Sequence, residues 1–213
     1  LGEGLQHQDG HSLVLASTVP TCQAYDPAYA YEMATIIRHG IHHMYGDGDG
    51  DGRLGHNAFY YLTLYNENIS MPARPEGVTD EEIIGGLSRV AAAPDVGEGR
   101  PRATILFSGT AQGAAHEARR ELAERWGVAA ELWSATSYKR LREEALGVER
   151  WNRLHPAGPP RTPYVTERLA ETDGPIVAVT DFMTMVPDQV ARFVPAGRRV
   201  PPPRPHRLRR LDP

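Results

Sequence analysis

Cysteine and lysine are almost absent from this sequence of 213 residues. The single Cys22 excludes an internal disulfide and any metal site that needs several cysteines. The single Lys139 leaves little room for lysine-based catalysis. No apolar run approaches the length of a membrane-spanning segment, and the net charge of -4 provides no basic excess. We therefore expect a globular protein with neither a nucleic acid nor a membrane as partner.

Both ends of the chain are unusual. It begins at Leu1 without an initiator Met or a signal peptide, so we interpret it as a fragment. Residues 198–213 read RRVPPPRPHRLRRLDP, which combines six Arg with five Pro and has no apolar periodicity. We interpret this tail as a non-native or out-of-frame end; a basic or polyproline recognition tail is the alternative.

The first half of the chain has a strand, helix, strand pattern. Residues 22–25 and 59–65 are rich in residues that favour strands. Between them, residues 27–45 have a helical apolar period, with Asp26 as the expected N-cap and Pro27 at the first helical position. A short helix over 80–90 follows. This order predicts parallel strands in an α/β domain over residues 1–93.

The second half repeats the alternation. A flexible, Pro-containing stretch over 94–101 marks the expected domain boundary. Beyond it the pattern predicts a βαβ unit followed by further helices and one strand. The predicted strands are 103–107, 128–133 and 176–179, and the predicted helices are 111–126, 138–146, 164–171 and 183–193. A second, incomplete α/β domain therefore covers residues 94–197.

Two groups of polar residues could bind metals. Asp47, Asp49 and Asp51 resemble the start of a calcium loop, but the acidic residue required at its twelfth position is missing. We favour a solvated Gly/Asp insertion over residues 46–52. The three histidines near the end of the first long helix (His39, His42 and His43) lack the glutamate of a zinc-protease motif, and as cations they would complement the helix dipole. No metal ligand is assigned.

The opening segment GEGLQHQDGHS carries the strongest catalytic candidates. Glu3 lies four residues before His7, and a carboxylate beside an imidazole can form an acid/base pair near neutral pH. The neighbouring glycines allow the backbone to approach a ligand closely. By composition alone, however, the segment could equally be a polar loop.

Several motifs together resemble one enzyme family. The opening segment, YDPAYAYEMATIIRHGIHHMYG, YYLTLYNENISMPARPEG and ERWNRLHP resemble the homodimeric bacterial pyruvate dehydrogenases, within the thiamine-diphosphate-dependent transketolase superfamily. The resemblance covers roughly residues 1–197. It implies the latter part of a pyrimidine-binding domain followed by a truncated transketolase-type carboxy-terminal domain. The main residues for thiamine diphosphate and magnesium would then precede Leu1.

The resemblance also implies an activity. The family decarboxylates pyruvate on thiamine diphosphate and passes the acetyl unit to a lipoyl group of the acyltransferase component, so the fragment alone should be inactive. His7 matches the active-site histidine that hydrogen-bonds substrate oxygens, and Glu3 matches the acid before it; Asp9 and His11 would be supporting. Residues 66–68 (Asn-Glu-Asn) replace an arginine of sugar transketolases, which favours a small 2-oxo acid.

The family also implies a cytoplasmic homodimer. Two alternative functions remain open. One is a transketolase that acts on sugar phosphates, and the other is a non-catalytic α/β interaction domain.

Overall fold

The computed structural model describes residues 9–46, 55–65 and 68–198. They form two sheets, one of two strands and one of four, with helices packed on both. The α/β class predicted from the sequence is confirmed.

The two-stranded sheet belongs to the first half of the chain. Strands β1 (Cys22–Tyr25) and β2 (Phe59–Leu62) pair in parallel, with Cys22 opposite Phe59 and Tyr25 opposite Leu62. Helix α1 (Ser12–Ala16) precedes β1, and helix α2 (Ala30–Tyr45) connects the two strands. The predicted strand, helix, strand unit is therefore present, and the helix in the crossover is what allows the strands to run parallel.

The start of α2 differs from the prediction. Asp26 is not its N-cap: Tyr29 occupies that position, and the helix begins three residues after Pro27. Glu32 reaches back, and its Oε2 accepts hydrogen bonds from the backbone N–H of Ala28 at 2.8 Å and of Tyr29 at 3.2 Å. A buried carboxyl from within the first turn thus satisfies the free backbone donors, which leaves Asp26 available for other contacts.

Helix α2 buries only part of its apolar surface. Ile36 is fully buried, whereas Ile37 and Ile41 are 46% and 56% exposed. Tyr45, one further turn along, is 72% exposed. The three exposed residues are four apart, so they form an apolar stripe on the outside of the helix.

The prediction of one helix over residues 80–90 is only partly correct, because a helix covers the first part of this range and a strand the second. Helix α3 covers only Asp80–Gly85, with Thr79 and Glu82 forming a capping box at its start. Gly86 ends it with a φ of +100°, a left-handed conformation that favours glycine. Strand β3 (Ser88–Ala91) then begins.

The four-stranded sheet has the order β3-β5-β4-β6. Strands β4 (Arg102–Phe107) and β5 (Ala129–Ser134) pair in parallel around helix α4 (Gln112–Trp126), as the βαβ prediction requires. Strand β6 (Ile176–Val179) lies parallel to β4 on its other side, and β3 pairs antiparallel with β5 at the edge. Thus β3 lies in the second sheet although it precedes the expected boundary at 93/94, and that boundary stays a prediction.

Two helices connect β5 to β6. They are α5 (Tyr138–Leu154), which is longer than predicted, and α6 (Tyr164–Ala170). After β6, the predicted helix over 183–193 is instead a single turn, α7 (Met185–Asp188), and a 3-10 turn over Ala191–Phe193.

The start of the predicted tail packs against the second sheet. The buried Arg198 donates hydrogen bonds to Thr104 Oγ1 at 2.9 Å and to the Gly174 carbonyl at 2.8 Å. Residues 199–213 lie outside the described residues.

The tryptophans have different environments. Trp133 is fully buried in β5, and its Nε1 donates to Glu131 at 2.8 Å, whereas Trp126 is 68% exposed at the end of α4. Trp133 thus supports the core, and Trp126 does not. Among the residues that the structure describes, no helix has the length and hydropathy needed to cross a membrane.

Candidate functional site

The carboxyl ends of strands from both sheets meet in one polar region. Asp26 follows β1, Thr63 follows β2, and Ser108, Thr136 and Thr180 lie after β4, β5 and β6. In open α/β sheets this end of the strands is where ligands bind. Here backbone hydrogen bonds join the end of a strand in the first sheet to the ends of strands in the second.

Asp26 is the centre of this region. Its carboxylate Oδ1 accepts hydrogen bonds from Thr63 Oγ1 and Tyr65 Oη, both at 2.5 Å. Its backbone joins the second sheet, because its N–H donates to the Thr136 carbonyl at 2.8 Å and its carbonyl accepts from the Gly109 N–H at 3.2 Å. One residue therefore ties the end of β1 to β2, β4 and β5.

Burial controls the charge of this carboxyl. Asp26 is only 3% exposed, and removal from water raises its pKa above the ordinary value, while the hydrogen bonds from Thr63 and Tyr65 oppose the shift. The same burial, together with the nearby Asp26 charge, raises the pKa of Tyr65, so that residue stays protonated and donates.

Gly109 is required for the close contact between the sheets. Its φ is +50°, and a Cβ atom there would lie 2.4 Å from Tyr65 Oη and 2.5 Å from Asp26 Oδ1. Both distances are below any normal contact, so only glycine permits Asp26 and Tyr65 to approach this turn.

The end of the opening segment is anchored near the same region. Asp9 Oδ1 accepts from the backbone N–H of His11 at 3.1 Å and of Ser12 at 2.9 Å, which holds the turn into α1. Partial burial works against ionisation of Asp9, but the hydrogen bonds from Ser12 and His11 lower its pKa overall. The Gly10 carbonyl accepts from the Met183 N–H at 2.8 Å, in the segment after β6.

The two principal catalytic candidates lie outside the described residues. Glu3 and His7 precede Asp9, and the structure describes the chain only from residue 9. Their roles stay predictions. Of the supporting pair, Asp9 has the structural role just described, and the His11 side chain is exposed.

The histidines of α2 bond to a tyrosine. His39 Nδ1 and His43 Nδ1 each lie 3.0 Å from Tyr60 Oη, and the His43 and His56 rings are 4.6 Å apart. Burial lowers the pKa of His39 and of His43, so both favour the neutral form. Within residues 9–46, 55–65 and 68–198 no group of three or more His, Cys, Asp or Glu is arranged to hold a metal ion. These residues therefore do not fit a magnesium site. Asp47, Asp49 and Asp51 lie outside the described ranges.

Comparisons with known proteins define the class first. Residues 90–198 match the sequence profile of the transketolase-like TK C-terminal domain. Solved transketolases share the fold: the enzyme from Leishmania mexicana aligns with a TM-score of 0.52 at 16% identity over 86% of this chain and 22% of its own. A Pichia stipitis transketolase aligns with a TM-score of 0.51 at 18% identity over 84% of this chain and 21% of its own. The chain is a transketolase-like α/β protein.

Sequence relatives narrow the class. Residues 1–72 match the profile of the pyruvate dehydrogenase E1 component middle domain. Proteins named pyruvate dehydrogenase E1 component are 45% identical in Mycolicibacterium smegmatis over 91% of this chain, and 43% identical in Pseudomonas aeruginosa over 92%. This chain belongs to the pyruvate dehydrogenase E1 component family, as its motifs predicted. It spans about a fifth of the length of those relatives, covering 20% and 21% of them.

Sequence reasoning missed the Asp26 region. An Asp-Pro pair before a helical pattern is typical of an N-cap, and that signal concealed the alternative role of the carboxylate. The informative signal was the position of polar residues directly after two predicted strands, with Asp26 after residues 22–25 and Ser108 after residues 103–107.

Proposed function

We propose that this chain is part of a thiamine-diphosphate-dependent enzyme that decarboxylates pyruvate and passes the acetyl unit to a lipoyl group of an acyltransferase component. The observation that carries the proposal is the similarity at 45% identity, along 91% of the chain, to a protein named pyruvate dehydrogenase E1 component. The match of the E1 middle-domain profile supports it, since that profile covers the opening segment.

His7 is the proposed catalytic residue. In this role its imidazole hydrogen-bonds an oxygen of the 2-oxo acid and holds or delivers a proton there, and Glu3 orients it or tunes its pKa. Thiamine diphosphate, when bound, supplies the electron sink for decarboxylation. The Asp9 turn and the bond from Met183 to Gly10 support the proposal, because they fix the chain two residues after His7.

The assembly is proposed to be a cytoplasmic homodimer whose cofactor and magnesium are held mainly by sequence outside these 213 residues. Three large apolar side chains in a row are costly to leave in water. The exposed stripe of Ile37, Ile41 and Tyr45 on α2 therefore supports an assembly in which another protein surface covers this face. That surface is either a second subunit or more of the same polypeptide.

The test is an assay of a polypeptide that contains these residues together with the preceding part of the enzyme. With magnesium and thiamine diphosphate it should reduce an artificial electron acceptor when pyruvate is supplied. The isolated 213-residue chain should not. Turnover of a sugar phosphate instead of pyruvate would move the proposal to a transketolase activity.

A histidine pair tests the role of His7. His7→Ala should lower kcat by at least about 100-fold, the usual contribution of a positioned acid or base. His42→Ala is the matched control, since the same substitution removes an exposed ring on α2, outside the opening segment. Equal effects of the two variants would contradict the catalytic role. A defined complex of an inactive polypeptide with another protein would favour the interaction-domain alternative.

A further inference from the structure

A small cavity lies next to Asp26. Its volume is about 10 Å³, and its lining includes Asp26, Tyr138 at the start of α5, and Gln189 just after α7. Apolar lining comes from Leu13 and Val186. A space of this size accommodates one water molecule.

Three polar atoms of the lining residues are buried without a partner. Asp26 Oδ2, Tyr138 Oη and Gln189 Oε1 form no hydrogen bond with any part of the chain that the structure describes. Asp26 and Tyr138 are only 3% and 4% exposed. A buried polar atom without a hydrogen bond destabilises the fold, so three residues of one cavity lining with such atoms call for a shared partner.

We propose that this cavity binds one water molecule that bridges Asp26, Tyr138 and Gln189. The water donates one hydrogen bond to Asp26 Oδ2 and another to Gln189 Oε1, and it accepts a hydrogen bond from the Tyr138 hydroxyl. Two donors and one acceptor match the two acceptors and one donor of the site. Three hydrogen bonds are also the usual number for a buried water.

Other occupants fit this cavity less well. Hard divalent cations take six or more oxygen ligands, and the site offers three unpaired ones. Lys139, which also lines the cavity, is bound by Glu143. An apolar occupant would leave all three oxygens unpaired.

The bridging water completes the function of Asp26 as a connector. Oδ1 already binds Thr63 and Tyr65 from the first sheet. Through the water, Oδ2 reaches the start of α5 and the segment after α7. Tyr138 of α5 and Val186 of α7 share one hydrophobic core with Trp133 of the second sheet. The carboxylate thereby links both halves of the described chain with both of its oxygens.

The direct test is a crystal structure of the 213-residue chain at high resolution. We expect one density peak with three contacts of about 2.7 to 3.0 Å to the named oxygens. An empty cavity overturns the proposal, as does a side chain from residues 1–8 inside it. A peak with contacts clearly shorter than about 2.6 Å to several oxygens indicates a cation and also overturns it.

A double-mutant cycle tests the bridge in solution. Tyr138→Phe and Gln189→Leu should each lower the folding equilibrium constant. The decrease in the combined variant should be about fivefold smaller than the product of the two single decreases. Tyr164→Phe, which removes a hydroxyl bonded to the Leu87 carbonyl, is the control and should be additive with Gln189→Leu. Additive effects of Tyr138→Phe and Gln189→Leu contradict a shared water. The density in the unsubstituted chain decides the question if a variant fails to fold.

Discussion

Replacing Glu32 by glutamine should remove a pH dependence of folding stability that arises from the buried carboxyl at the start of α2. Glu32 is fully buried, and burial raises its pKa from 4.5 to about 7, against opposing hydrogen bonds from the backbone N–H groups of Ala28 and Tyr29. The nearby charge of Asp26 adds to the increase. In the unfolded chain the carboxyl recovers its ordinary pKa.

The sign follows from where the proton is held. Below pH 4.5 both the folded and the unfolded chain keep it, and above pH 7 both have lost it. Between these values only the folded chain holds the proton, so the Glu32 contribution to stability decreases as pH rises through this window. The pKa difference between 4.5 in the unfolded chain and about 7 in the folded chain corresponds to about 3 kcal/mol in the free energy of unfolding.

The assay is urea unfolding followed by circular dichroism at a series of pH values. Glutamine keeps the shape and an acceptor for the backbone N–H groups but does not titrate. The free energy of unfolding of Glu32→Gln relative to wild type should therefore rise by about 3 kcal/mol across the window. Glu124→Gln, at an exposed position of α4, controls for the loss of a surface carboxylate. Parallel pH profiles for wild type and Glu32→Gln would refute the reasoning.

Two further substitutions test contacts within and between the sheets. Gly109→Ala should destabilise the chain by at least about 2 kcal/mol, because its Cβ would collide with the Asp26 carboxylate in a left-handed backbone conformation. Gly113→Ala, where a Cβ meets nothing within 4 Å, should be neutral or stabilise by up to about 1 kcal/mol; equal losses by thermal unfolding would contradict the steric argument. Arg198→Ala should cost about 2 to 3 kcal/mol, because it removes buried charge-assisted hydrogen bonds to Thr104 and to main-chain carbonyls. The exposed Arg153→Ala should change the urea midpoint little, and a similarly small effect at position 198 would show that the Arg198 contacts are weak.

The predicted elements that rest on strong periodicity were confirmed. The βαβ unit of β4, α4 and β5 was predicted within a residue or two of its observed bounds, because alternating buried strands and a long helix leave few other arrangements. Residues 80–90 were harder. Their apolar residues are compatible with one continuous helix and equally with a short helix that ends at Gly86 and is followed by a strand. Only the pairing of β3 with β5 selects the short helix and the strand.

The candidate site also contains residues that the sequence identified and residues that only the structure revealed. Glu3 and His7 were identified from motif resemblance, and they stay predictions because they lie outside the described residues. The partners of Asp26 could not be predicted from local pattern, because Tyr65, Gly109 and Thr136 are 39, 83 and 110 positions away and meet it only once both sheets have formed.

The sequence by itself determined the α/β class, the family and most of the helices and strands, because local periodicity and motif order carry that information. Only the tertiary structure decided which carboxyls are buried and what they bind. Asp26 and Glu32 both lie near the start of the same helix, and the sequence pattern assigned the N-cap to Asp26. In the structure Tyr29 is the N-cap, and the buried side chain of Glu32 accepts the free backbone N–H groups at the helix start. Asp26 instead connects the sheets, because the ends of strands from both converge on it. Burial and long-range contacts depend on how the elements pack, and a local pattern does not contain that packing.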